Sequence, residues 1–190
     1  DQNSMQLMAQ KGKYSGLLQC LTSCSISNSN FTNCDCSIGS GLNVEVFDKT
    51  MTNIRYSILS ELGGLEVLRF SYQSDPTRID SQSAMIYVDH VKFYDNKGAF
   101  LISFNNHLYD QSKSSLVSNF KIDFAITNSQ FYGNSNMTYP FYVSTPNTKV
   151  FSIMEFNNCV SDSALIAQPQ VKEAYQNVFK IGWTIVPRPT

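Results

Sequence analysis

The chain has 190 residues with a formal net charge of −1, and 42% of its residues are hydrophobic against 15% charged. That length supports one domain with a sizeable core, while its 14 Lys and Arg residues form no cluster, which excludes the basic footprint of a nucleic-acid binder. No apolar run approaches the roughly 20 residues of a membrane span; the longest, such as Ala99–Phe104, are the size of a strand.

From the N-terminus, residues 1–19 stand apart as a cap segment. Met5, Met8 and Ala9 are spaced for one face of a short helix that Gly12 ends. A stack of β-coils needs such a cap because its open end exposes unpaired backbone groups. The chain starts at Asp1 rather than Met and shows no signal-peptide pattern, which suits a processed secreted protein or a fragment of a longer one. Cys20, Cys24, Cys34 and Cys36 follow within seventeen residues. Their spacing matches no common zinc finger and no His lies nearby, so no metal site is expected. The expectation is disulfides in an oxidising compartment that staple the cap to the first coil, with all three connectivities open.

Residues 20–168 repeat one grammar. Ser25–Phe31, Tyr87–Phe93, Ala125–Phe131 and, more weakly, Phe151–Phe156 each end in phenylalanine. Set on that residue, Ile26, Val88, Ile126 and Phe151 fall five positions before it, and Asn28, His90, Asn128 and Ile153 fall three before it. Apolar residues alternate up to a polar corner and resume beyond it, as strand, corner and strand would. Phe93-Tyr-Asp-Asn96 and Phe131-Tyr-Gly-Asn134 then lead into further strand-like phrases, and a fifth copy runs from Met51 through Val67. Asn and Gly supply the unusual backbone angles that such corners require. In the fourth copy the corner Asn is missing. The pattern predicts inward columns of Ile26, Phe31, Val88, Phe93, Ile126, Phe131 and Phe156, with Asn28 and Asn128 at equivalent corners.

These phrases, together with Gly63-Gly64-Leu65 and Gly98-Ala99-Phe100, are similar to repeats of the pectate-lyase-like superfamily of right-handed parallel β-helices, as found in large secreted and surface proteins. The resemblance implies an all-β solenoid with a short N-terminal cap and a strand-like C-terminal tail.

Candidate chemistry is sparse, and no catalytic residue, cofactor or metal ligand is assigned. Ile86-Tyr-Val-Asp-His90 resembles the Trp-Ile-Asp-His phrase of pectate lyases, but no arginine follows until Arg188, and His90 reads as the corner residue of its coil. Asp48, Asp75, Asp80, Asp89 and Asp123 are scattered rather than paired for glycoside hydrolysis. His107, Asp110, Ser112 and Ser114 share a polar loop without a nucleophile elbow. Cys159 reads as a buried thiol. Asn30-Phe-Thr32 and Asn136-Met-Thr138 are N-glycosylation acceptors placed in turns.

Pro169 separates the repeats from a tail over residues 169–190. There Phe179, Ile181, Trp183 and Ile185 form one apolar face of a strand, which either closes its own end or joins a neighbouring copy. The sequence therefore points to a non-enzymatic, extracellular or cell-surface structural or adhesive module that associates with itself head to tail. Carbohydrate binding through exposed tyrosines and Trp183 is the alternative, and a lyase or hydrolase centred on Asp89 and His90 a third.

Overall fold

The computed structural model describes residues 19–20, 23–33, 35–46, 51–72, 83–106, 121–137, 139–144, 151–162 and 179–190. The predicted cap helix, Pro169 and the carboxylates Asp48, Asp75, Asp80 and Asp110 lie outside them, as do His107, Ser112 and Ser114.

The described residues are all-β, and every strand pairing is parallel. Numbered along the chain, β2 (Cys24–Ser27), β5 (Met51–Arg55), β8 (Ser83–Asp89), β11 (Lys121–Thr127) and β14 (Phe151–Ser161) are successive neighbours. So are β3 (Asn30–Thr32), β6 (Ile58–Ser60), β9 (Lys92–Tyr94) and β12 (Gln130–Tyr132), and the C-terminal half of β14 joins this row too. A separate five-stranded sheet stacks β1 (Gln19–Cys20), β4 (Asp35–Val46), β7 (Gly63–Tyr72), β10 (Lys97–Asn106) and β13 (Tyr139–Ser144). The chain thus visits the three rows in turn and returns one rung further on.

Equivalent residues on successive rungs lie 28, 34, 38 and 30 positions apart in sequence. The linking segments 47–50, 73–82, 107–120 and 145–150, which lie outside the described residues, differ in length. Strand pairing is regular in space although the repeat is uneven in sequence.

Because like positions pile on like, the core is built in columns. Ile26, Ile54, Val88, Ile126 and Phe156 form one, paired rung to rung and buried throughout. Phe31, Leu59, Phe93 and Phe131 form a second, in which the rings of Phe93 and Phe131 stack at 4.9 Å and 9°. Leu42, Leu68, Ile102 and Phe141 make a third from the five-stranded sheet. Where the sheets meet, Phe124 packs edge-on to Phe104 at 4.7 Å and Phe141 to Phe156 at 4.5 Å. Burying each such ring stabilises by roughly 1.5–3 kcal/mol before entropy is counted.

One register departs from the sequence reading. Phe156 pairs with Ile126, not with Phe131, whose partner is Ser161. The fourth copy therefore starts five residues later than its phenylalanine suggests, and its corner Asn is present as Asn158, at φ 52°. Phe151 and Phe156 imitate the apolar spacing of the other copies, while the phenylalanine site itself holds a buried serine.

The first four rungs turn twice through the left-handed region, and the fifth does so once among the described residues. The first corner holds Asn28, Tyr56, His90, Asn128 and Asn158; the second holds Asn33, Glu61, Asp95 and Gly133. Inside the second corner, the asparagines of Phe93-Tyr-Asp-Asn96 and Phe131-Tyr-Gly-Asn134 form a ladder. Asn96 is fully buried; its Oδ1 accepts from the Leu62 amide at 3.0 Å, and its Nδ2 donates to the Leu59 carbonyl and Asn134 Oδ1, both at 2.9 Å. Asn134 Nδ2 donates in turn to the Phe93 carbonyl at 2.8 Å.

The tail strand β15 (Phe179–Ile185) pairs in parallel with this chain's own β14, Ile181 against Phe156 and Trp183 against Cys159. Beyond it the Val186 amide donates to the Ser161 carbonyl at 2.8 Å. Arg188 then reaches back to grip Asp95 through two hydrogen bonds of 2.6 and 2.9 Å, its guanidinium 5.1 Å from the centre of the Tyr94 ring. Gly133 makes room for this grip: a Cβ there would lie 2.2 Å from Asp95 Oδ1 and 3.1 Å from the Arg188 guanidinium.

Replacing Asn96 with alanine strands the Leu62 amide and the Leu59 carbonyl in a dry corner. Urea unfolding of Asn96→Ala should show a loss of about 2–3 kcal/mol, whereas an exposed corner change such as Asn28→Ala should cost about 1 kcal/mol.

Candidate functional site

The first corner is made by a short hydrogen-bond exchange that repeats from rung to rung. The left-handed residue donates its amide to the next rung: Asn28 to Arg55 O, Tyr56 to Asp89 O, His90 to Thr127 O and Asn128 to Asn157 O, at 3.0–3.2 Å. Two residues on, the amides of Ile58, Lys92, Gln130 and Val160 donate back to the previous rung at 2.9–3.0 Å. Where the residue between them is serine, its side chain closes the turn; the His90 corner has Val91 there instead. Ser57 Oγ donates to Arg55 O and Ser129 Oγ to Thr127 O, both at 2.8 Å. On the last of these corners Cys159 takes the serine's place, its Sγ 3.5 Å from Asn157 O and 3.6 Å from Ile126 O. The thiol is free and buried, and burial pushes its pKa up to about 11. Burial of this kind keeps a thiol in its protonated form.

This geometry forces the left-handed side chains outward into one line along the stack. Asn158 Nδ2 donates to Asn128 Oδ1 at 2.7 Å, and Asn128 Nδ2 donates to Asp89 Oδ1 at 3.0 Å. Thr127 Oγ1 donates to the same oxygen at 2.5 Å, while His90 Nδ1 lies 2.9 Å from Asp89 Oδ2. The His90 ring then stacks on Tyr56, centroids 5.0 Å apart and 30° from parallel. Beside the line runs a groove of about 460 Å³ whose walls include Asn28, Asn30, Tyr56, Ile58, His90, Lys92, Asn128 and Gln130.

One feature of this groove was not evident from the sequence. Tyr56 occupies a left-handed position, φ 49°, that other rungs fill with Asn or His, and its side chain is 57% exposed. Bulky residues rarely adopt that conformation, and such strain concentrates where function holds it in place. Only the pairing of Tyr56 with His90 across the rungs marks the position. Asp89, by contrast, was singled out, and its surroundings explain it. Partial burial raises its pKa, but hydrogen bonds from Thr127, Asn128 and His90 outweigh that and hold it at about 2, below the ordinary 3.8. Both carboxylate oxygens are engaged.

The remaining sequence candidates scatter. Cys24 is disulfide-bonded; the side chains of Cys20, Cys34 and Cys36 lie outside the described residues. Asn30 opens strand β3 rather than sitting in a turn: Phe31 faces the core, so its neighbours Asn30 and Thr32 face out and are exposed. Asn136 is also exposed, just past the second corner, at φ 61°. Of the predicted apolar tail face, Ile185 is 53% exposed, and the side chains of Phe179, Ile181 and Trp183 lie outside the described residues. Arg188 is bound to Asp95 rather than poised over Asp89, and Asp123 pairs with Met85, away from the corner. Among the described residues no group of three or more His, Cys, Asp or Glu could hold a metal, and no helix is long and apolar enough to cross a membrane.

Compared with family models, curated proteins and solved structures, the chain matches none.

Two measurements check this corner. Because the folded-state pKa of Asp89 is lowered, its contribution to stability is present above about pH 4 and is lost as pH falls towards 2. The stability difference between wild type and Asp89→Asn, followed by urea unfolding, should therefore shrink across that window. Tyr56→Asn should raise stability by about 0.5–1 kcal/mol, since Asn tolerates the left-handed region.

Proposed function

We propose that the chain is a right-handed parallel β-helix that serves as a non-enzymatic, extracellular structural or adhesive module and assembles head to tail. The observation that carries this reading is the last rung. β15 is paired with β14 on one side and with no described strand on the other, and it ends in exposed Ile185, with exposed Val186 just beyond. At the opposite end, β2 and β3 close the strand order of their sheet. A parallel edge that no described strand covers at each end is a template for strand addition, and a contact between unlike ends yields filaments when its rotation does not close. The extracellular placement draws on the Cys24 disulfide and the two glycan acceptors. The non-enzymatic reading draws on Asp89 and His90, which are spent on holding the corner together.

Sedimentation of the full chain over a range of concentrations, with negative-stain microscopy, tests this. Wild type should form filaments, and Ile185→Lys, which places a charge on the terminal edge, should stay monomeric. A wild-type chain that is monomeric at every concentration would contradict the proposal.

A second reading has its own observation. The groove combines an exposed aromatic ring, the Tyr56–His90 stack and a row of amide side chains. Pyranose rings are bound by such a mixture of flat apolar faces and paired hydrogen-bonding groups, so the groove is suited to carbohydrate.

A further inference from the structure

We propose that Asn30 carries an N-linked glycan whose first sugars lie in the first-corner groove against Tyr56, so that the occupant of the groove is covalently part of the protein. This rests on the carbohydrate reading of the groove and supplies the source of the carbohydrate.

Asn30 is the point where two separate observations meet. It is the acceptor of an Asn-Phe-Thr tripeptide, and it is itself a wall of the groove. The strand around it fixes the direction. Phe31 packs against the core, so the acceptor amide is turned outward, with Thr32, into the open. From Asn30 the groove passes Ile58, the partner of Asn30 on the next rung, then Tyr56 and His90, and continues to Lys92 and Gln130. Rungs repeat at about 4.8 Å, so two rungs lie within reach of the first sugars of a chain attached at Asn30.

Tyr56 gives the arrangement its purpose. The first and fourth rungs place Asn28 and Asn128 at the same left-handed position, where asparagine is tolerated. The second rung instead holds an exposed tyrosine in a strained backbone, its ring oriented by the stack on His90. A fixed, exposed aromatic face beside a glycan acceptor has the shape and polarity to receive the apolar face of an N-acetylated sugar. The other acceptor, Asn136, is not a wall of this groove.

The attachment is a transfer from a lipid-diphosphate-linked oligosaccharide to the chain before it folds. The Asn30 amide nitrogen forms a bond to C1 of the first sugar. The C1–O bond to the diphosphate breaks, the amide gives up one proton, and the lipid diphosphate leaves.

The test uses the full chain secreted from a eukaryotic host. Glycopeptide mass spectrometry reads occupancy at Asn30, and a glycosidase that cuts near the protein reads docking through the rate of release under native conditions. Wild type should be occupied at Asn30, and Tyr56→Asn should release that glycan roughly tenfold faster, the effect of losing one aromatic contact. Because asparagine is native at this corner on other rungs, the variant keeps its fold, and urea unfolding confirms it. An unoccupied Asn30 overturns the proposal, as do equal release rates in wild type and Tyr56→Asn. If Asn30 is bare yet an added N-acetylated oligosaccharide binds the groove and Tyr56→Asn abolishes binding, the carbohydrate reading stands and this proposal fails.

Discussion

Everything in this fold depends on turning a parallel strand without losing its hydrogen bonds. A hairpin solves the problem by pairing the chain with itself, but a parallel row has to pass each amide to another rung. Here a single left-handed residue does so at each of two corners. Its amide still donates to the next rung, as Tyr56 does to Asp89 O and Asp95 to Tyr132 O. Because the corners hold register, inward residues fall into columns. Those columns let Phe93 lie flat on Phe131 and Ile54 on Val88. The small residue after the first corner and the asparagine after the second seal the polar groups that the bend would leave open: Ser57 and Ser129 in one place, Asn96 and Asn134 in the other.

The same constraint creates the surface features. A left-handed residue projects its side chain away from the core, so the row of first corners becomes a row of outward side chains. Asn158, Asn128, Asp89 and His90 are joined by hydrogen bonds into one line, and Tyr56 extends it by stacking. A sequence phrase that looks catalytic therefore has a structural use. The grip of Arg188 on Asp95 does comparable work at the second corner, holding the end of the chain across the rungs. The pair is nearly half exposed, so solvent screens it and its role is to position the chain rather than to stabilise the fold.

The columns were legible in the sequence because strand alternation has a period of two and because Asn28 and Asn128 announce a left-handed turn. The last rung was misread because Phe151 and Phe156 reproduce the expected spacing, while Ser161 fills the phenylalanine site. Asn158 followed by Cys159, in place of asparagine followed by serine, is the cue that locates it. Tyr56 and Glu61 could not be recognised as corner residues, since nothing local favours a left-handed tyrosine or glutamate; the neighbouring rungs impose it. The Arg188–Asp95 pair, 93 positions apart, has no local trace at all. Of the groove, the sequence singled out Asn30, Asn28, His90 and Asn128, but only the strand registers bring them together.

Native-state hydrogen exchange at the corner amides tests the central claim most directly. If each corner passes its amide to the next rung, then Asn28, Tyr56, His90 and Asn128 exchange slowly, with protection comparable to the adjoining strand residues Ile54 and Val88, although their side chains face solvent. Exchange of these four amides at the rate of exposed loops, with the strands alone protected, would contradict the account.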